Sequence, residues 1–410
     1  MIFTPDSVRS QFPALSQRIE SHPVLFLDGP GGSQVPTSVL TAMTEYLGYS
    51  NSNLGGHFFS SQKTNGVIDN ARTACAALLN SPSSNNIVFG ANMTSLTFQL
   101  SRAISRDWTA GDEIIVTALD HYSNVSSWQQ AAEDKGVIVH QVRVNTDDCT
   151  LDMDHFHSLL SDKTVLVATT YASNTTGSLV DVKSMVAAAH HFGAMIYVDA
   201  VHYAPHHLVD VQDLDCDFLV CSAYKFFGPH VGIAYVSSQY LQSLSPYKVE
   251  PATDIGPGRF ETGTQSFEGL AGVTAAIEYL AQWGDKECSL RERLVSCFTQ
   301  YKQHELALTH YFLNKLEERS GMSLFGISDP ENAGNRTPTF AISFKGHSPD
   351  QIAKKLGQHQ ICVWNGHFYA LGLIKQLGLE ESGGVVRIGF MHYNTFDEID
   401  YLFSILDTFE

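Results

Sequence analysis

The order of hydrophobic patterns predicts an α/β fold, a mostly parallel sheet of seven strands between helices, followed by a smaller α+β domain. Two observations carry this reading. Between residues 65 and 240, short β-branched runs that are apolar on both faces alternate with helical stretches, as strands covered on both sides do. After about residue 265 the texture changes to a long helical region, then strands and helices in turn.

Taken in order, residues 1–20 are expected to pack with the small domain, 21–268 to form the large domain and 269–410 the small one. The large domain's strands are expected at Asn86–Phe89, Glu113–Thr117, Val137–Val144, Thr164–Thr170, Ala194–Val198, Phe218–Cys221 and Gly232–Val236. Each is too short for a helix with its own core face. Helices are expected between them at Val67–Leu79, Asn124–Lys135 and Val182–Phe192. In the small domain Leu270–Arg319 reads as one helical region. Strands at Thr339–Phe344 and Val385–Gly389 and helices at Asp350–Leu356 and Asp397–Phe409 follow.

Composition excludes several classes. With 410 residues, 43% of them hydrophobic, the chain buries a core without needing disulfides or metal. Twenty-five basic against 43 acidic residues leave a net charge of −18, which repels phosphate backbones and anionic headgroups. Neither nucleic acid nor membrane is therefore an expected partner, and no run of eighteen apolar residues occurs. MIFTPDSVRSQF lacks a basic then apolar pattern, and the seven scattered cysteines suit free thiols, so a cytoplasmic location is expected.

Ligands of open parallel sheets sit at the carboxyl ends of strands, and there the polar residues gather. Asp199 follows the strand in IYVDAVHYAPH, and Lys225 follows the next in LVCSAYKFFGPHVG, 26 residues later. A desolvated lysine at such an exit has a lowered pKa and can form a Schiff base. An aspartate opposite a pyridine ring would keep its nitrogen protonated. The stretch GANMTSLTFQLSRAI opens a helix whose start offers free amides to an anion, with the Thr94 and Ser222 hydroxyls nearby. His121, in ALDHYSN, is placed to stack on an aromatic ring.

The set LDHYSN, SNTTG, VDAVHYAPH, SAYKFFGPHVG, RFETGTQ and VVRIGFMHYNT resembles the class V aminotransferase family, and within it the cysteine desulfurases. The resemblance implies a fold-type I scaffold, a pyridoxal 5′-phosphate cofactor, an amino-acid substrate and a homodimer. By position it implies Lys225 as the internal-aldimine lysine, Asp199 at the pyridinium nitrogen and His121 on the ring face. Asn174 and His202 would approach the phenolic side; desulfurases usually have glutamine at the latter position. Met93, Thr94 and Ser222 would hold the phosphate, with Thr264 reaching it from the second subunit. Where the family usually reads histidine before the lysine, this chain has Tyr224, whose hydroxyl is the substitute. Arg387, in VVRIGF, matches the arginine that grips the α-carboxylate.

One departure bears on the reaction. Aligning Gly366-His367 of VWNGHFYALGL with the family's mobile loop puts Tyr369 where a desulfurase has its nucleophilic cysteine. Cys362, seven residues upstream in an apolar run, reads as a buried thiol. The sequence therefore predicts an enzyme acting at the α-carbon, a transaminase, lyase or epimerase rather than a persulfide-forming desulfurase. The alternative is a cofactor-binding scaffold of weak activity. Tyr369, His367 and Asn53 are expected near the substrate, with the rest of the aromatic loop Trp364–Tyr369, Phe58, Phe59, Tyr203, His57 and Arg259 as further candidates. A metal centre at His202, His206 and His207 is not expected, because Pro205 breaks the helix such spacing needs. No GxGxxG after the first strand, GxxxxGK[ST] or GxSxG is present for nucleotide binding or serine hydrolysis.

Overall fold

A computed structural model describes residues 3–409. Seven strands form the large sheet: β1 (Ile87–Gly90), β2 (Glu113–Thr117), β3 (Ile138–Val142), β4 (Thr164–Thr170), β5 (Met195–Asp199), β6 (Phe218–Ser222) and β7 (Gly232–Val236). Their spatial order is β1-β7-β6-β5-β4-β2-β3. All pairs are parallel except those of β7, which runs antiparallel to both β1 and β6.

Burial on both faces explains the continuous apolar runs. Alternate residues enter two cores: Ile115, Val167, Ile196, Leu219 and Ile233 on one side, Ile114, Leu166, Tyr197, Val220 and Ala234 on the other. Helices cover both. On the second side lie α3 (Met93–Ile104) and α4 (Ser123–Lys135). There the Trp128 ring meets Tyr197 edge-on at 4.8 Å, and the Tyr197 hydroxyl donates to Thr97 Oγ1 at 3.0 Å. On the first side are α2 (Phe59–Leu79), preceded by α1 (Thr37–Tyr49), and α5 (Val182–His191). Helix α2 begins eight residues before the expected start because FSSQKTNG is too polar to show an apolar stripe.

The expected single helical region divides in two, α6 (Phe267–Leu280) and α7 (Leu290–Glu317). Gly284 lets the chain turn against Arg293, where an added Cβ would lie 2.7 Å from its Cα. Ser289 and Glu292 then restart the helix with a capping box. Four antiparallel strands follow: β8 (Met322–Phe325), β9 (Thr339–Phe344), β10 (Trp364–Gly366) and β11 (Val385–Gly389), ordered β8-β9-β11-β10. Their core with α7, α8 (Pro349–Gln358) and α9 (Phe396–Leu406) centres on Phe312, whose ring lies 4.0 Å from that of Phe340.

The N-terminal segment touches both bodies. Phe12 packs on Phe227, Tyr279 and Tyr393, while Arg9 pairs with Glu398 at 2.8 Å. Residues Leu25–Phe26 add a parallel strand to Ile361–Cys362, carrying the next turn beneath the sheet's carboxyl edge.

That edge is shaped by Gly232. Its would-be Cβ falls 2.3 Å from the carbonyl carbon of Asn92, so only glycine lets β7 lie against the start of α3. Gly232→Ala is expected to cost about 1–3 kcal/mol by overpacking. A lowered urea midpoint at unchanged slope checks this.

Candidate active site

Four parallel strands and one reversal deliver polar groups to one place. Asp199 ends β5, Ser222 ends β6, His121 follows β2 and Asn174 follows β4. Because β7 runs back beside β6, residues 223–231 stay at the same end, and Lys225 closes their first turn, Ala223–Lys225. Met93, Thr94, His121, Asn174, Asp199, His202, Ser222, Tyr224 and Lys225 together line one cavity of about 440 Å³.

Burial sets the electrostatics of this cavity. Desolvation first, then the Arg387 charge, lowers Lys225 to about 7, with Asp199 and Asp28 opposing. Its ammonium nitrogen donates to the Pro30 carbonyl. Burial raises Asp199 to about 6, against the Val201 amide and the Lys225 charge. Asp199 Oδ1 accepts from that amide at 2.9 Å, and no hydrogen bond among the described residues engages its other oxygen.

His121 is fixed from below. Its Nδ1 accepts from the Ser123 amide at 3.1 Å, so a neutral ring carries its proton on Nε2. Burial, then the Lys225 and Arg387 charges, holds its pKa down at about 4. The preceding Asp120 is fully buried and accepts from Thr117 and Asn124, and Asn124 accepts from Trp128 at 2.9 Å. Desolvation raises Asp120 to about 8. On the other side His202 Nε2 lies 3.1 and 2.9 Å from the Thr337 and Thr339 hydroxyls. Burial keeps this imidazole well below its ordinary pKa.

One end of the cavity is built by the start of helix α3. Asn92 caps the Ser95 amide at 2.9 Å, and the Met93 amide donates to Ser222 Oγ at 3.3 Å. No hydrogen bond among the described residues engages the Thr94 amide, which leaves it for a ligand.

Arg387 stands behind Asn174 and is buried, 5% exposed. It donates to the Asn174 carbonyl at 2.8 Å, and the Phe368 ring lies over it at 4.1 Å. Desolvation lowers it to about 9, with Asp28 opposing. Tyr369 is exposed, its ring 5.1 Å from that of His121, which lines the cavity. His367 Nδ1 accepts from the Tyr369 amide at 3.0 Å.

Other expected residues lie apart. Asn53 is exposed and its Oδ1 accepts from the Leu54 amide, so it does not reach the cavity of its own chain. His57, Phe58, Phe59 and Thr264 are likewise on the surface. Arg259 donates to the Leu241 and Gln242 carbonyls. Tyr203 turns away to stack on Tyr171 at 3.6 Å, and His207 lies on its ring. His206 faces Glu305, Nδ1 to Oε2 at 2.9 Å.

Several groups were missed from sequence. Asp28 is one: burial raises it to about 6, and its Oδ1 has no partner. Glu305 is another, together with His230, which lines the cavity beside Tyr224. Only His230 left a signal, its place in the same short loop as Lys225.

The family described as aminotransferase class-V matches residues 25–402. A cysteine desulfurase of Escherichia coli K12 is 31% identical, covering 98% of this chain and 97% of the relative. Among solved structures, the cysteine desulfurase CsdA of E. coli superposes with a TM-score of 0.85 at 26% identity, covering 100% of this chain and 98% of the other. An apo cysteine desulfurase from Thermococcus onnurineus NA1 has the same fold, with a TM-score of 0.87 at 24% identity over 100% and 99% of the two chains.

The buried charges give a titration test. Reaction of the cofactor-free protein's Lys225 with an amine-directed reagent is expected to rise with pH, half-maximal near the lowered value of about 7. Arg387→Gln should move the midpoint up and Asp199→Asn should move it down, each read by mass spectrometry of the labelled peptide.

Proposed function

This chain belongs to the class V aminotransferase family, a pyridoxal 5′-phosphate-dependent family, and we propose that it works at the α-carbon of an amino acid without forming a persulfide. The observation that carries the reading is the pairing of Lys225 and Asp199 across a cavity whose far end is the open start of helix α3. An amine, a carboxylate and an anion cradle are the donor set a phosphorylated pyridine aldehyde requires. When bound, that cofactor supplies an aldehyde for exchange with amines and a ring that withdraws electrons from the α-carbon.

The chain's own residues account for the remaining work. Asp199, with one oxygen unengaged, holds a proton on the ring nitrogen. Lys225, with its pKa lowered to about 7, takes the proton from the substrate α-carbon and returns it. His121 offers a neutral ring face, and Asn174 and His202, which line the same cavity, would hold the cofactor on its phenolic side. The Thr94 amide and hydroxyl and the Ser222 hydroxyl would hold the phosphate, with Met93 forming the helix start and Tyr224 beside it. Arg387 holds the α-carboxylate, and Phe368 excludes water from that contact.

The absence of persulfide chemistry is supported by the loop itself. Tyr369 carries no thiol, and Cys362 is half-buried in a strand paired with Leu25–Phe26. Burial, with the Asp28 charge adding to it, pushes its thiol up to about 11. That leaves a thiolate fraction on the order of 10⁻⁴ at pH 7.

Full-length protein supplied with pyridoxal 5′-phosphate is expected to absorb in the visible, and Lys225→Ala to lose that band. A panel of amino acids should perturb the band at substrates and leave it untouched for a mere scaffold. Product analysis with an α-keto-acid acceptor then separates transamination, elimination and racemisation. Cysteine should release sulfide slowly; fast release surviving Cys362→Ser overturns the reading.

The chain also works as a homodimer on this reading. Thr264 is exposed, and Tyr49, Leu54, Phe58, Phe59 and Ile255 present apolar side chains at the surface. Sedimentation of the cofactor-loaded protein should give twice the chain mass, and a saturated monomer contradicts it.

A further inference from the structure

The anion end of the cavity poses a charge problem. Its donors are backbone amides and hydroxyls, from Thr94 and Ser222, and none carries a full charge. Tyr224 adds none, because burial, then the Asp199 charge, raises its phenol and keeps it neutral. Burial likewise leaves His121 and His202 uncharged. Arg387 is engaged on the other side, by Asn174 and Phe368. A phosphate carries roughly −1.5 to −2 charges at neutral pH, and a helix start supplies only about half a compensating charge.

One side chain remains. His230 stacks on the Tyr224 ring, centroids 4.8 Å apart and planes 15° from parallel. It sits two residues before Gly232, the glycine that presses against Asn92, so its backbone runs beside the N-cap of α3. His230 is solvent-exposed and lines the cavity together with Thr94 and Ser222. Stacking fixes its plane, and the short loop shared with Lys225 fixes its position relative to the ring site.

We propose that His230 is the cationic ligand of the cofactor's phosphate, held in place by Tyr224. The proposal rests on the cofactor reading above. Tyr224 is then a platform for the imidazole as well as a hydroxyl donor, and charge recognition lies five residues beyond the lysine in the same loop.

The test compares equilibrium binding of pyridoxal 5′-phosphate and of pyridoxal, which lacks the phosphate, to the full-length protein, its His230→Gln variant and its His230→Lys variant. Wild type is expected to prefer the phosphorylated form, His230→Gln to lose about tenfold of that preference with pyridoxal binding unchanged, and His230→Lys to keep it. The ³¹P resonance of the bound cofactor should shift in His230→Gln. An unchanged preference in His230→Gln overturns the proposal. So does an equal loss for both ligands, which marks His230 as a prop for the Tyr224 ring. If wild type binds pyridoxal 5′-phosphate no better than a control protein does, the cofactor reading fails and this one with it.

Discussion

Taking the Lys225 amine out of water is the constraint around which the rest of the site is arranged. Desolvation lowers its pKa to about 7, the Arg387 charge reinforces the shift, and Asp199 and Asp28 limit it. Each of these groups is buried and perturbed in turn, Asp199 upward and Arg387 downward. Separately, none would be tolerated at such burial. Together they offset one another, which is how a lysine remains near its titration point at neutral pH.

Backbone topology makes this arrangement possible. Parallel strands bring β2, β4, β5 and β6 to one edge, and the reversal into β7 keeps residues 223–231 there rather than carrying them to the far side. Gly232 then allows β7 and the start of α3 to touch. Amine, carboxylate and anion cradle follow from three short connections rather than from one long loop, so strand pairing fixes their distances.

The small domain completes the site from outside the sheet. Thr337 and Thr339 engage His202, and Arg387 comes from strand β11. Phe368 and Tyr369 both adopt left-handed backbone, φ 50 and 58, at a cost of about 1–2 kcal/mol per residue. Hydrogen bonds offset that cost: Asn174 donates to the Phe368 carbonyl and the Tyr122 amide to that of Tyr369. The result points one aromatic ring over Arg387 and the other toward His121. Residues on both bodies thus define the substrate end.

The sequence by itself determined the sheet, the strand-exit positions of Asp199 and Lys225, and the capped start of helix α3. All three are local signals, carried by apolar period, strand length and capping residues within a few positions. Tertiary structure alone decided the turn of Tyr203 away from the cavity and the contact of His206 with Glu305. It also decided the stacking of His230 on Tyr224. Each depends on a partner distant in sequence or on a side-chain direction, as with His206 and Glu305, 99 residues apart. Periodicity reports which face of an element is buried, whereas packing decides what that face meets.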